Sequence, residues 1–289
     1  MYQNILKLIR PHQYIKNLFI FAPLFFVGQI ANVELFLNLV VTFIAFSISA
    51  SAIYILNDFQ DIEEDRQHPE KKYRPLASGA ISKKTAIVLM NTFFIVGISL
   101  MATLSLQALV ILCLYIALNF GYSFYFKRIA ILDVTIISIG FVLRLFVGSA
   151  VIEIPLSMWI VIMTFLLSLF LALAKRRDDV LLFINTGKKM RKAIGGYNLQ
   201  FIDGAMMIMA SVVIVSYILY TTSIDVFQSA QSEYLYLTAL FVILGIMRYL
   251  QIAFIESDSG SPTKIIFNDK FIQVTILAWI LSFVWIIYL

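Results

Sequence analysis

The stretch LFLNLVVTFIAFSISASAIYIL, residues 35–56, decides the fold class because it can cross a bilayer as a helix and contains no charged side chain. A spanning helix needs about 20 predominantly apolar residues. Over the whole chain, 61% of residues are hydrophobic and 13% are charged, and the mean hydropathy is +0.91. These values exclude an ordinary soluble domain. The apolar runs lack the alternation of membrane strands, so the sequence predicts an all-α integral membrane protein.

Apolar runs of similar length recur along the chain and predict nine transmembrane helices. Their expected bounds are 17–33, 35–56, 85–106, 108–126, 129–150, 157–174, 205–222, 234–251 and 271–288. The first run is interrupted by Pro23 and Gly28. We expect a single membrane-embedded domain over 1–289, with polar loops at 57–84, 127–128, 175–204 and 252–270.

The distribution of positive charge predicts the orientation in the membrane. Every Lys and Arg except Arg144 falls on alternate connections, whereas the other side carries Glu34, Glu153, Asp225 and Glu233. Because cytoplasmic loops are enriched in Lys and Arg, we expect a multi-pass protein of the cell (inner) membrane with a cytoplasmic N-terminus. The same bias accounts for the net charge of +5, so the charge does not indicate a nucleic-acid partner. The bilayer itself is the expected partner, and the sequence does not predict the oligomeric state.

The second predicted span continues into NDFQDIEEDRQHPEKKYRPLASG, residues 57–79, where acids are followed by bases. The spacing places Asn57, Asp58, Asp61 and Asp65 on one face of a helix. Acids at this spacing repel one another unless a cation neutralises them, and Mg²⁺ prefers such oxygen ligands and bridges them to phosphates. The bases that follow would contact phosphate oxygens: Arg66, Lys71, Lys72 and Arg74. The stretch predicts a Mg²⁺–diphosphate site, with a solvated, internally salt-bridged loop as the alternative.

Two further segments end spans on the same side, YSFYFKR at 122–128 and LALAKRRDD at 171–179. They contribute candidates for the same pocket, and the basic segment TGKKMRKAIGGYN at 186–198 could form a short helix over it. An alternative role for Lys188, Lys189 and Lys192 is binding of lipid headgroups. The candidate phosphate-binding residues beyond the acidic stretch are Lys16, Tyr122, Lys127, Lys175, Arg176, Arg191 and Tyr197. The candidate catalytic residues are Asp58, Asp61 and Lys127.

Arg144 is the one cation within a predicted span, between Gly140 and Gly148. The glycines would let a neighbouring helix approach, and Asp133 falls on the same helical face. Ionisable groups in the membrane are costly and usually face a cavity. We expect Arg144 to face a polar cavity, near a lipid phosphate; the alternatives are an outward, snorkelling side chain and a structural pairing.

The pattern Asn57-Asp58-x-x-Asp61-x-x-x-Asp65 resembles the first aspartate-rich motif of the UbiA prenyltransferase superfamily. In these membrane enzymes the aspartates hold Mg²⁺ and a diphosphate around a central cavity. The similarity is closer to one branch, the decaprenyl-phosphate phosphoribosyltransferases, and covers nearly the whole chain. The segments that carry it are RPHQYIKN (10–17), residues 57–79, IPLSMW (154–159), AKRR (174–177), TGKKMRKAIGGY (186–197), MRY (247–249) and LAWI (277–280).

One departure from the family pattern bears on the substrate. Members that act on aromatic acceptors carry a second Asp-x-x-x-Asp motif after the sixth span, where this chain reads KRRDDVLLF, residues 175–183. The adjacent Asp178 and Asp179 point about 100° apart on a helix and make a poor common ligand set.

The resemblance implies a Mg²⁺-dependent transfer of 5-phosphoribosyl from phosphoribosyl pyrophosphate (PRPP) to a polyprenyl phosphate, decaprenyl in the branch, with release of pyrophosphate at the cytoplasmic face. This is a step of cell-envelope biosynthesis in that branch. An isoprenyl transferase with an aromatic acceptor remains an alternative. A transporter is a second one, although the sequence shows neither inverted repeats nor broken helices.

Overall fold

The computed structural model describes residues 2–67, 71–187, 191–223, 233–257 and 259–288. Within these ranges the secondary structure is helical and contains no strand, so the all-α prediction is confirmed. The α-helices are α1 Tyr2–Ile9, α2 Ala22–Phe26, α3 Val33–Gln60, α4 Ile62–Arg66, α5 Lys83–Ala102, α6 Leu106–Phe124, α7 Leu132–Ile152, α8 Met158–Thr186, α9 Leu199–Thr221, α10 Ala239–Gln251, α11 Pro262–Asn268 and α12 Lys270–Tyr288. Shorter 3-10 segments are Pro11–Phe21, Lys71–Tyr73, Phe126–Arg128, Lys192–Gly196 and Glu233–Thr238, and Ile252–Glu256 is a π-helix.

Eight helices of the described part are long and apolar enough to cross a membrane, so the predicted count of nine is not confirmed. The difference lies in the first predicted span, 17–33. There the chain forms the 3-10 helix Pro11–Phe21 and the short α2, and Gly28 then turns the backbone with φ +77°. A proline within the run and a glycine in the left-handed region explain why no long α-helix forms.

Helix α8 is longer than predicted, and the expected loop at 175–204 is wrong in its first part. The segment KRRDDVLLFINT continues the helix to Thr186, and Gly187 ends it with φ +70°. Arg176 and Asp179, three residues apart, form an ion pair of 3.1 Å on this turn. A glycine in the left-handed conformation is a common helix terminator. The first three cations after the sixth predicted span, Lys175, Arg176 and Arg177, therefore lie on a helix rather than in a loop.

The chain divides into two compact units, which are described separately. The first contains Met1–Leu24, Ile30–Phe126 and Leu143–Pro155; the second contains Phe25–Gln29, Lys127–Val142 and Leu156–Leu289. The expectation of a single domain stays a prediction.

The first unit is organised around α3, which packs against α5, α6 and the 3-10 helix Pro11–Phe21. Its approach to α5 is close, since a Cβ on Gly97 would lie 2.2 Å from Ser49 Oγ. At the end of α3, an apolar cluster joins α1, α3 and α4 to the segment that follows. Its members are Leu8, Ile55, Ile62, Leu76, Ile81 and Ala86. This cluster fixes the chain on both sides of the acidic stretch.

In the second unit α8 packs along α9, and α10 packs against α12. Its core includes Phe170 from α8, Ile202 and Met206 from α9, Ile246 from α10 and Ile272 from α12. The apolar side chains of these long helices therefore meet one another, as burial of hydrophobic surface requires.

Candidate active site

Two buried carboxylates of the acidic stretch face one arginine in the first unit. Asp58 in the last turn of α3 is 1% exposed, and Asp65 in α4 is 3% exposed. Arg74 Nη1 donates to Asp58 Oδ1 at 3.0 Å and to Asp65 Oδ2 at 2.8 Å. Arg10 Nη2 also donates to Asp58 Oδ1. Asp58 and Asp65, two of the four side chains expected on one helical face, therefore contact the same guanidinium.

The helix breaks between the two carboxylates without losing their spacing. Asp61 ends α3 with φ −97° and ψ 11°, and α4 begins at the next residue. The amides of Asp61 and Asp65 still donate to the carbonyls four residues earlier, at 3.0 and 2.7 Å. Asp61 is half-buried at this break. The i, i+4 relation assumed from the sequence therefore persists across the break.

The position of Arg74 follows from the apolar residues beside it. The 3-10 turn Lys71–Tyr73 leads into Arg74, whose amide donates to Lys71 O at 2.9 Å. Leu76, two residues later, is 3% exposed within the apolar cluster that includes Ile55 and Ile62. Burial of Leu76 thus holds the Arg74 guanidinium over the end of α3.

The two carboxylates differ in how far their oxygens are hydrogen-bonded. Burial raises the pKa of Asp65, and the Arg74 guanidinium lowers it less than burial raises it. In the described part of the chain, Asp58 Oδ2 is a buried oxygen with no hydrogen-bond partner. Such an atom is rare in native proteins and costs free energy. It is the feature of this site that most clearly calls for a ligand.

The donor atoms suit a hard divalent cation. Asn57, beside Asp58, presents an amide oxygen that accepts from Ser123 Oγ at 2.5 Å. Among the described residues, no three His, Cys, Asp or Glu side chains converge on one metal position. Mg²⁺ is usually held by one or two carboxylates and by substrate phosphates, so Asp58 with Asn57 or Asp65 fits this ion. Asn57 contacts α6 through Ser123, and Tyr122, the residue before Ser123 in that helix, is half-buried.

The other predicted cations of the first unit have separate environments. Arg66 is half-exposed and bonds Glu63 at 2.9 Å and Ala77 O at 3.1 Å. Lys71 is half-buried and lies near enough to Asp65 to lower the pKa of that carboxyl. Their predicted roles in phosphate binding stay predictions.

Arg10 is a residue that the sequence analysis did not select. It bonds Asp58 and lies 5.4 Å from the centroid of the Tyr54 ring. The available signal was its place in the segment RPHQYIKN, which also contains the candidate Lys16. Burial, followed by the charges of Arg144 and Arg10, lowers the pKa of Lys16 to about 8. The three cations therefore act on one another within the first unit.

Arg144 is buried, with 5% of its surface exposed, so it does not snorkel outward. Its Nε donates to Asn17 Oδ1 at 2.8 Å and its Nη2 to Tyr115 Oη at 3.0 Å. The guanidinium also lies 5.1 Å from the centroid of the Phe46 ring. These contacts support structural pairing, and a role toward a lipid phosphate stays a prediction. Asp133, expected on the same helical face, bonds residues of the second unit instead.

That bonding forms a buried network in the second unit. Arg176 Nε donates to Asp133 Oδ2 at 2.5 Å, and Tyr197 Oη donates to Asp133 Oδ1 at 2.6 Å. Asp179 Oδ2 accepts from Arg176 Nη1 and from Arg191 Nε, each at 3.1 Å. Burial and the bond to Asp133 raise the pKa of Tyr197. The structure thus brings three predicted phosphate-binding residues together, but around two carboxylates.

Asp178 and Asp179 have different partners, as their adjacent positions predicted. Asp178 Oδ1 accepts from Ser259 N at 3.2 Å and from Ser259 Oγ at 2.6 Å. A Cβ on Gly260 would lie 2.5 Å from Asp178 Oδ2. Asp178 therefore anchors the connection after α10, and the two acids do not form one ligand set.

The remaining candidates of the second unit are Lys127 and Lys175. Lys127 is half-buried in the 3-10 helix Phe126–Arg128, and Lys175 is exposed on α8. We expected Lys127 and Lys175 to face the acidic stretch, which belongs to the other unit, and this expectation stays a prediction. Lys188, Lys189 and His68 lie outside the described residues.

Comparison with known proteins decides the family. The sequence profile of the UbiA prenyltransferase family matches residues 18–273. This chain belongs to the UbiA prenyltransferase family. The resemblance inferred from the aspartate-rich motif is confirmed, and the chain is a multi-pass membrane transferase, which removes the transporter alternative.

Similar UbiA-family proteins and structures cover nearly the whole chain. The decaprenyl-phosphate phosphoribosyltransferase of Corynebacterium glutamicum is 31% identical over 99% of this chain and 87% of its own. That of Mycolicibacterium smegmatis is 31% identical over 96% of this chain and 90% of its own. The structure of a UbiA homolog from Archaeoglobus fulgidus bound to GPP and Mg²⁺ has a TM-score of 0.73 at 17% identity, covering 99% of this chain and 100% of that one. The last comparison shows that this chain and the Archaeoglobus fulgidus homolog share the UbiA fold.

Proposed function

We propose that this UbiA-family protein transfers a 5-phosphoribosyl group from PRPP to a polyprenyl phosphate, with Mg²⁺ and at the cytoplasmic face. The products are the polyprenyl phosphoribosyl lipid and pyrophosphate. The observation that carries the proposal is the unsatisfied, buried Asp58 Oδ2 beside two arginines. Relatives named decaprenyl-phosphate phosphoribosyltransferase, matched over 87% and 90% of their own length, support transfer of a phosphoribosyl group to a polyprenyl phosphate.

In this proposal Asn57, Asp58 and Asp65 hold the metal, with Asp61 at the helix break as a further oxygen donor. Bound Mg²⁺ supplies Lewis-acid stabilisation of the charge that develops on the leaving diphosphate. Asp58 Oδ2 is a buried oxygen available to the ion, since it has no hydrogen-bond partner and Oδ1 already accepts from Arg10 and Arg74.

Arg74 is the residue best placed to bind the diphosphate itself. Its side chain is 28% exposed, whereas those of Asp58 and Asp65 are 2% and 4% exposed. A guanidinium presents several N–H donors in a fixed plane, so it can contact a phosphate with the groups not used on the carboxylates. Arg74 would orient the donor while its Nη1 keeps the two acids in place.

The acceptor phosphate needs an electropositive site rather than a general base, because a phosphate monoester is already an anion at neutral pH. In the first unit Lys16 lies close enough to Arg10 and Arg144 for their charges to lower its pKa. Mutual repulsion of this kind is relieved when an anion binds. We assign Lys16 to the acceptor phosphate, with Arg144 supporting it.

The candidates of the second unit have secondary places in this proposal. Lys127 and Lys175 remain predicted phosphate-binding residues. Arg176 is 2% exposed and bonded to two carboxylates, so its role is to position Asp133 and Asp179. Arg191 and Tyr197 attach the segment after α8 to the same network.

Prenylation of an aromatic acceptor is the second candidate function, since a similar fold is described with GPP and Mg²⁺. The divergent contacts of Asp178 and Asp179 speak against a second metal position in this chain.

The deciding experiment uses the purified chain in detergent with Mg²⁺ and a polyprenyl phosphate. Mass spectrometry should detect a lipid product heavier by one phosphoribosyl group when PRPP is supplied, and EDTA should abolish it. A parallel reaction replaces PRPP by geranyl diphosphate and the lipid by 4-hydroxybenzoate. Prenylated product there, with none from PRPP, would refute the proposal.

A further inference from the structure

The helices around the last connection of the second unit line two cavities of different character. The first, of about 270 Å³, is almost entirely apolar. It lies among α8, α9, α10, α11 and α12, and its walls include Phe170, Gly245, Ile246, Ile272 and Trp279. None of these residues belongs to the candidate active site.

The second cavity, of about 370 Å³, is largely polar. Its walls include Glu256, Ser261, Lys264, Asn268 and Asp269. They belong to the end of the π-helix Ile252–Glu256, to α11 and to the residues that cap α11, Ser261 and Asp269.

The same three chain segments line both cavities, one helical turn apart. Tyr249 faces the apolar cavity and Ile252 the polar one; Ile272 faces the apolar cavity and Asp269 the polar one. Along the α10 and α12 ends of the connection, the polar cavity lies toward the connection and the apolar cavity toward the middle of the span, while α11 contributes residues to both. An apolar pocket beside a polar one at a span end is the arrangement that an amphiphile requires.

The charges around the polar cavity are balanced. Arg248 donates to Glu256 at 2.8 Å and to Asp269 at 2.7 Å, so both acids have a cationic neighbour. Arg248 lies behind these acids and is not a wall residue, whereas Lys264 is exposed on the wall and adds a second cation. Two acids and two bases complement a headgroup that carries both signs better than one that carries only negative charge.

We propose that the two cavities together bind one zwitterionic phospholipid of the bilayer. One acyl chain occupies the apolar cavity beside Gly245, the phosphate lies at Lys264, and the headgroup ammonium lies toward Glu256. This lipid site goes beyond the transfer reaction and does not depend on it.

Gly245 offers a direct test, because a Cβ there would meet only Thr275 Cγ2, at 3.8 Å. Gly245→Leu would extend into the apolar cavity and displace about two methylenes of the chain, lowering retention about tenfold. Gly204→Leu is the matched control, since its Cβ would meet nothing within 4 Å. At the polar cavity, Lys264→Glu should lower retention similarly, whereas Lys270→Glu, on an exposed lysine outside the cavity walls, should not.

The measurement is native mass spectrometry of the full chain in detergent. The protein is mixed with equal amounts of dioleoyl phosphatidylethanolamine and dioleoyl phosphatidylglycerol. We expect one retained phosphatidylethanolamine, lost in Gly245→Leu and kept in Gly204→Leu. Preferred retention of phosphatidylglycerol, or equal retention of phosphatidylethanolamine in Gly245→Leu and wild type, overturns the proposal. Should Gly245→Leu aggregate, Lys264→Glu against Lys270→Glu decides, and equal retention in that pair also overturns it.

Discussion

Replacing Asp58 by Asn separates the part that this residue has in folding from its part in transfer. Asn keeps an oxygen that can accept from Arg10 and Arg74, so two charge-assisted bonds become neutral ones. Each loses about 1 kcal/mol, and the variant should be destabilised by about 2 kcal/mol. The unpaired Oδ2 becomes an amino group, which cannot ligate a cation. Loss of this ligand costs the transition state about 4 kcal/mol, or roughly 10³-fold in kcat/KM.

The assay for Asp58→Asn is product formation from PRPP and polyprenyl phosphate over a range of Mg²⁺ concentrations, alongside thermal unfolding in detergent. The unfolding midpoint should fall by roughly 4–8 °C, with the protein still monodisperse at assay temperature. Glu63→Gln is the matched control, because the Glu63 side chain is 74% exposed and pairs only with nearby Arg66 in the contacts described. Its activity should stay within about twofold of wild type. If Asp58→Asn keeps more than about a tenth of wild-type kcat/KM, the metal assignment is refuted.

Three further changes test other features of the structure. Burial lowers the pKa of Lys16 from 10.5 to about 8. Between pH 8 and 10.5 the unfolded chain therefore binds more protons at Lys16 than the folded chain does, so the stability of the folded state should rise with pH in this range. Lys16→Met should flatten that rise in unfolding scans, and an unchanged slope contradicts the lowered pKa. Gly148→Ala places a Cβ 2.1 Å from the backbone oxygen of Ile20 and should destabilise the first unit by about 1–3 kcal/mol, so an unchanged melting temperature counts against this packing. Asp178→Ala removes both bonds to Ser259 and should cost about 2 kcal/mol while leaving the Mg²⁺ concentration for half-maximal activity unchanged; a shifted Mg²⁺ requirement would instead make it a metal ligand.

The fold class and the acidic half of the candidate site could be predicted because both depend on local patterns. Uncharged runs such as 35–56 predict spanning helices by length alone. Asp58 and Asp65 follow from regular spacing that survives the helix break at Asp61. Patterns of this kind predict helices and shared helical faces without knowledge of the tertiary structure.

The misses arose where distant segments meet. Arg10 reaches Asp58 from 48 residues away, and nothing in its own neighbourhood indicates that contact. Arg176 looked like a free cation of a loop, but α8 continues beyond it and its guanidinium bonds Asp133, 43 residues earlier. The first predicted span is the exception with a local cause: Pro23 and Gly28, both visible in the sequence, divide the apolar run, and run length alone does not count such interruptions.

The bridge made by Arg74 has a consequence for how the protein is made. Because Arg74 and Arg10 together balance the two negative charges of Asp58 and Asp65 before any ligand arrives, newly inserted chains can complete this end of the first unit without a metal supply. In small zinc domains, by contrast, the ion supplies the folding free energy. Cells starved of divalent cations should therefore accumulate intact but idle protein, which resumes turnover when the ion returns and requires no new synthesis.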